Sequence, residues 1–342
     1  MSAHRFDVLG LGNAIVDVIA PVDDEFLVEA DVHKGSMQLV DQERAQRLYD
    51  AMGATTIVSG GSAANTIAGL SSLGGKGAFV GKVAADEAGR AFAHDIRAAG
   101  VHFSTLPASE GPSTARCLIL VTPDGQRTMN TFLGACQNLT SADIDAEEVS
   151  SAKVLYLEGY LWDPPAAKQA FKTASGIAHA AGREVALTLS DVFCVDRHQQ
   201  EFLGLMRDGF IDIVFANESE LHALYQTADF ATAVAALRRE NVLAAITRSE
   251  KGAVIVRGDE TWEVPAAPIE NLVDTTGAGD LFAAGFLAGY TRSQPLDYCA
   301  RLGALAASEI IQHFGARPET ELARLADQSL YLREHSRAAE GA

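Results

Sequence analysis

Short apolar runs alternate along the chain with longer segments whose apolar residues recur at every third or fourth position. This is the pattern of buried strands followed by amphipathic helices. Phe6 to Leu11 reads as a first buried strand, ending in Gly10 and Gly12, and the apolar run from Ile15 to Ile19 carries Asp17 inside it. Residues 41–52 read as a helix with Asp41 as its cap and Ala45, Leu48 and Met52 on one face. A second helix spans 62–73, opened by Gly60-Gly61 and closed by Gly74-Gly75. Downstream come a strand at 77–83, a helix at 86–99 and a hairpin joining 115–121 to 126–132 around Pro123-Asp124-Gly125. The next units are a strand at 153–158, a helix at 164–181, a strand at 184–189, a helix at 199–207 and a strand at 211–216. Helices at 218–225 and 231–240 precede a strand at 244–247. A second hairpin pairs 253–257 with 261–264, and helices follow near 279–290 and 296–313.

Repeated strand–helix units predict an α/β fold, a mainly parallel sheet sandwiched by helices. No repeat or low-complexity linker divides the chain, so residues 1–330 are expected as one domain, with 331–342 as a frayed tail. The segments near 15–40 and 105–135 and the second hairpin break the alternation. They are expected to form a small β lid beyond the main sheet, near the carboxyl ends of its strands, where open α/β sheets bind ligands.

Composition narrows the class. The 342 residues are 48% hydrophobic and 21% charged, as in a soluble globular enzyme. Lys and Arg number 27 against 45 Asp and Glu, a formal charge of −18, which argues against nucleic acid or anionic lipid as partners. Cys117, Cys136, Cys194 and Cys299 are scattered, with no zinc spacing, as suits a reducing compartment. Asp7, Asn13 and Asp17 interrupt the N-terminal apolar run, and no 18-residue apolar stretch occurs. A cytoplasmic protein acting on a small molecule is expected, as monomer or homodimer.

Several chemistries lack their residues. Gly10-Leu-Gly12 and Gly277-Ala-Gly279 are followed by Ile15 and Phe282 where a dinucleotide fingerprint needs a third glycine. The P-loop pattern and the protein-kinase motifs are missing. What stands out is Asn271 to Gly285, in which Gly277, Ala278 and Gly279 let a backbone approach a ligand and Asp280 sits in the first turn of the following helix. Free N–H groups at a helix start bind anions. Asp280 there is either a base for a hydroxyl attacking a bound phosphoryl group or a charge partner of the helix end. Gly60-Gly61-Ser62-Ala63-Ala64-Asn65 opens another helix, with Asn65 one turn inside it, where asparagine is disfavoured unless it bonds something. Asn13 and Asp17 near the first strand suit a vicinal diol. Asn217-Glu218-Ser219-Glu220 offers an amide and a carboxylate for water-bound Mg²⁺, or a plain helix cap.

Taken together these segments resemble the PfkB, or ribokinase-like, family of carbohydrate and nucleoside kinases. Gly60–Leu70 and Asp274–Leu287 match its two signatures and Asn217–Glu220 its NxxE element. The likeness runs from GLGNAIVDV to QHFGARP, ending at Pro318. GNAIVDV, GGSAAN, LYLEGYLW and TLSDVF look most like the adenosine kinase branch.

The resemblance implies ATP and Mg²⁺ as cofactors, with a monovalent cation as a further candidate. It implies Asp280 as base, Gly277, Ala278 and Gly279 as anion hole, and Arg127 on the transferring phosphate. Asp17, Asn13, Gly61, Ser62 and Asn65 would hold the substrate. Met129, Phe132, Tyr160 and Trp162 are candidates for stacking on a purine, or equally for lid or core packing. Asn217, Thr247, Ser249, Gly252 and Gly279 would bind the nucleotide and Glu220 the metal through water. The turn Thr247–Gly252 departs from the family's usual TLG-like sequence at Arg248 and Ser249. The expected reaction is phosphoryl transfer to a primary hydroxyl of a small polyol, the 5′-hydroxyl of adenosine first. The alternatives are a sugar kinase for ribose, fructose or a ketodeoxy acid, or a non-catalytic nucleoside- or sugar-binding protein.

Overall fold

The computed structural model describes residues 4–329; the expected tail at 331–342 lies outside them. In chain order, β1 (Phe6–Leu11), β2 (Ile15–Pro21), α1 (Asp24–Glu29), β3 (Met37–Leu39), α2 (Gln42–Ala51) and β4 (Thr56–Gly60) come first. They are followed by α3 (Ser62–Ser72), β5 (Gly77–Val80), α4 (Glu87–Ala98) and the hairpin β6 (Ala115–Val121) and β7 (Arg127–Phe132). Then come α5 (Ala146–Ser151), β8 (Ala152–Glu158), α6 (Pro165–Ala180), β9 (Glu184–Thr188), α7 (Val192–Arg207) and β10 (Ile213–Asn217). The chain continues through α8 (Glu218–Tyr225), α9 (Phe230–Leu237), β11 (Leu243–Thr247), β12 (Ala253–Arg257) and β13 (Glu260–Val264). Helices α10 (Ala278–Tyr290), α11 (Leu296–Ile310) and α12 (Leu322–Gln328) close it.

Eight strands form the main sheet in the order β13-β12-β11-β10-β9-β8-β1-β5, parallel from β11 to β5. Its central strands are apolar on both faces because helices cover both. Val8, Tyr156, Ala186 and Phe215 point to the side of α3, α10 and α11. Leu9, Leu155, Leu187 and Val214 point to the side of α6 to α9. The carboxyl ends of β1, β8, β9, β10 and β11 therefore fall in a row.

A second sheet has the order β3-β7-β6-β2-β4. One of its faces is buried through Val16, Val18, Leu118 and Leu120. The other presents Ile15, Asp17 and Ile19, all half-buried. The hairpin β6–β7 and the 15–40 segment belong to this sheet, as expected, together with β4, which the sequence reading left unassigned.

Two expectations are corrected. The second hairpin is not part of this sheet: β12 pairs antiparallel with β11 and extends the main sheet at its edge. The helix expected at 199–207 begins at Val192, with Asp191 accepting from the Cys194 N–H as its cap. A break in helical backbone at His198 divides it, and the β-branched and aromatic residues before that break concealed its first half.

Candidate active site

Two helix starts build the floor of the site. Gly61, just before α3, has φ 95° and a Cβ there would strike the Asn13 carbonyl, so glycine is required where the β4–α3 turn meets the loop after β1. Gly277, just before α10, has φ 80°. The two helices pack tightly because Gly69 leaves no room for a side chain against Leu281 and Ala284. Their first turns thus lie side by side. Ser62 Oγ donates to Asp280 Oδ1 at 2.6 Å and Asn65 Nδ2 donates to Oδ2 at 3.0 Å. Asn65 Oδ1 is buried without a partner, an acceptor left open in the site.

Burial raises the Asp280 carboxyl above its ordinary range, against the opposing pull of the Ser62 and Asn65 hydrogen bonds and of Arg317. A carboxylate oriented by two donors and made more basic by burial is suited to accept a proton. At the same helix start, the N–H groups of Gly277, Gly279 and Asp280 find no acceptor among the described residues, while Ala278 N–H closes a turn onto Thr275 O at 3.2 Å. Gly279 is exposed and a Cβ there would meet nothing within 4 Å. This is a helix N-terminus open to an anion.

Arg127, at the start of β7, reaches this loop from the second sheet. Its Nη1 pairs with Asp274 Oδ2 at 2.9 Å and donates to Thr276 Oγ1 at 3.3 Å. Its Nε and Nη2 are buried with no partner, leaving donors free for an anion. Met129 lies two residues on along the same face of β7.

Asp17 lies against Gly60, where a Cβ would collide with its carboxylate. Burial pushes its pKa up to about 7, Arg317 and Arg127 pull against that, and the Asp280 charge adds to it. No hydrogen bond from the described residues contributes. Asn13 is held from behind: its Nδ2 donates to Glu158 Oε1 at 2.7 Å, and Ala63 N–H donates to Glu158 Oε2 at 2.8 Å. Burial raises Glu158 to about 7. Glu158, inside LYLEGYLW, and Arg317, inside QHFGARP, were assigned no role from sequence; a carboxylate ending an otherwise apolar buried strand was the available signal for the first.

The aromatic candidates separate. Phe132 faces the core side of the second sheet, and Trp162 is buried against Phe171 and Phe202 with its Nε1 donating to Glu201; both are packing residues. Tyr160 is half-buried, and its phenol is raised by burial and by the charges of Asp191, Asp280, Glu220 and Glu158. It stands among carboxylates, between the Asp280 side and the Glu220 side.

On the latter side, Asn217 and Thr247 are register partners at the carboxyl ends of β10 and β11. Asn217 and Glu220 form a reciprocal cap: Asn217 N–H and Nδ2 donate to the two Glu220 oxygens at 3.0 and 2.5 Å, and Glu220 N–H donates back at 2.8 Å. Burial raises Glu220 to about 7. Ser249 and Gly252 shape the following turn with φ 51° and 86°. Arg248 turns away to Glu218 at 2.8 Å and over the Phe230 ring at 3.8 Å. No group of three metal-ligating side chains occurs among the described residues.

Asp17 is costly to the fold when ionised, which gives a stability prediction. Its proton affinity is higher folded than unfolded, so its stabilising contribution is full below about pH 4 and lost as pH rises to about 7. Asp17→Asn should therefore melt about 2–5 °C above wild type at pH 8, a gain that shrinks towards pH 5. Thermal melts across that range check it; a constant difference contradicts it.

A parallel sheet covered by helices on both faces, a helix start with free N–H groups and a half-buried carboxylate beside it suit a phosphotransferase of the carbohydrate-kinase kind. The model of the pfkB family carbohydrate kinases matches residues 36–322, and the chain belongs to that family. It is an ATP-dependent kinase of the sugar and nucleoside class. A probable sugar kinase from Rhizobium etli CFN 42 is 54% identical, with a TM-score of 0.90 over 95% of this chain and 98% of that one. The adenosine kinase from Sinorhizobium meliloti is 55% identical, with a TM-score of 0.89 over 95% and 99%. Adenosine kinase 2 of Arabidopsis thaliana is 26% identical over 92% of this chain and 96% of its own. No helix among the described residues is long and apolar enough to cross a membrane.

Proposed function

We propose that this kinase phosphorylates the 5′-hydroxyl of adenosine, in the cytoplasm, with Asp280 as the base. The observation that carries this reading is the pairing of two half-buried carboxylates: Asp280, oriented by Ser62 and Asn65 at a free helix start, and Asp17, which receives no hydrogen bond from the described residues. Asp17 is left for the ribose 2′- and 3′-hydroxyls, and the nucleoside's 5′-hydroxyl then falls to Asp280. Met129 and the apolar neighbours of Asp17 on the second sheet supply a surface for a purine, so that sheet acts as the lid.

In the transfer, the 5′-oxygen forms a bond to the γ-phosphorus as the bond to the β,γ-bridging oxygen breaks. ADP leaves with that electron pair, and the hydroxyl proton passes to the Asp280 carboxylate. The N–H groups of Gly277, Gly279 and Asp280 and the free Arg127 donors hold the transferring oxygens. Asn217, Thr247, Ser249 and Gly252 line the nucleotide side. Both Glu220 oxygens are engaged by Asn217, so this site fits Mg²⁺ held through water and phosphate oxygens and not by direct protein ligation. The ion would neutralise phosphate charge there.

A coupled ADP-release assay over nucleosides and sugars tests the substrate assignment: adenosine should show the highest kcat/KM, and a free sugar exceeding every nucleoside would overturn it. The sugar reading stays the alternative because one relative 54% identical is named a probable sugar kinase. Glu220→Gln should raise the Mg²⁺ concentration for half-maximal activity about tenfold or less, since the contact is through water, while leaving adenosine binding in place. An unchanged Mg²⁺ titration would reduce Glu220 to a helix cap.

A further inference from the structure

Arg317 lies in the QHFGARP segment after α11, 37 residues beyond Asp280 in sequence, and the sequence alone assigned it no role. Its guanidinium joins two elements of the site. Nε donates to Ser59 O at 3.3 Å and Nη2 to Ser59 Oγ at 3.3 Å, on β4; Nη1 donates to Ala64 O at 2.9 Å, in the first turn of α3. Ser59 precedes Gly60, the residue against which the Asp17 carboxylate rests. Ala64 precedes Asn65, which donates to Asp280. The positive charge is thus fixed by three acceptors at the point where the supports of the two carboxylates meet.

We propose that Arg317 is a positioning residue of phosphoryl transfer: its guanidinium ties β4 to α3 and serves as the shared counter-charge of Asp17 and Asp280. This rests on Asp280 being the base. The charges around it agree. Burial lowers Arg317 to about 10, and Asp17, Asp280 and, more weakly, Asp95 of α4 pull it back up. Arg317 is the cation that lowers Asp280, and it comes first among those lowering Asp17, ahead of Arg127 on β7. The other ionisable groups that sense Asp280 are Tyr156 and Glu158 on β8 and Tyr160 just beyond it, none of them a cation. Without Arg317, Asp17 would keep only the Arg127 charge and Asp280 would have no cation lowering it.

The test is the pH profile of kcat/KM, read on whichever acceptor alcohol the wild type phosphorylates. Arg317→Gln should move the acid limb up by about one pH unit and lower kcat/KM at pH 7 by about 10–100-fold. Arg317→Lys keeps the charge and loses the fork of hydrogen bonds; its limb should stay within about 0.3 unit of wild type although its rate falls. Should Arg317→Gln not fold, Arg317→Lys decides: its retained charge should hold the limb while the lost fork lowers the rate. A limb that stays in place in Arg317→Gln, or one that moves up in Arg317→Lys despite the retained charge, overturns the proposal and leaves Arg317 a structural brace. The failure of Asp280 as base is distinguishable, because Asp280→Asn would then retain turnover whatever the Arg317 variants do.

Discussion

Replacing Asp280 by Asn is expected to lower kcat by about 10²–10⁴-fold, the range for a lost general base, with the fold and adenosine binding little changed. The amide has nearly the carboxylate's shape. It can still accept from Ser62 through its oxygen, but the partner of Asn65 Nδ2 becomes an N–H₂ group, so Asn65 must turn over; its free Oδ1 can then accept. What the variant cannot do is take the proton of the attacking hydroxyl. The check is kcat for the purified variant alongside its thermal melt and adenosine affinity. A folded Asp280→Asn protein with near-normal turnover would remove Asp280 from the chemistry and return it to a helix-end charge.

The second large effect is discrimination between adenosine and 2′-deoxyadenosine, expected to reach up to about 10⁴-fold in kcat/KM. Asp17 is half-buried, raised to about 7 and without a hydrogen bond from the described residues, so in the proposed reaction the ribose would supply what the fold withholds. The deoxy sugar leaves a buried carboxylate short of a donor, and such a site rejects its analogue more strongly than an apolar pocket does. Asp17→Ala should bring the two substrates to within about tenfold of each other while the KM for ATP stays the same. A preference that survives Asp17→Ala would place the diol elsewhere.

Much of this arrangement is legible in the chain because it depends on local signals. Strands β1, β6 and β12 and helix α8 fall where apolar runs, glycines and the Asn217 cap predict them. The GAG–Asp280 and GGS–Asn65 turns announce themselves through residues only a close backbone approach requires. What stays hidden is long-range. Nothing in Ala253–Val264 says whether a hairpin joins a lid or an edge of the main sheet, since either supplies the same pairing. Arg317 reads as an ordinary loop cation until folding places it on Ser59 and Ala64. Phe132 and Trp162 look as suited to a purine as Met129 does, and only the face each occupies separates them. Glu220 shows that one motif can carry two readings, since the reciprocal cap with Asn217 accounts for both residues without a metal.

The most direct measurement offers the enzyme ATP with adenosine, ribose and fructose together at equal concentration and identifies the phosphorylated products by mass spectrometry. Adenosine 5′-monophosphate is expected to dominate, because only the nucleoside combines a diol for Asp17, a hydroxyl for Asp280 and a purine for the Met129 face. A sugar phosphate as the main product would contradict the adenosine assignment.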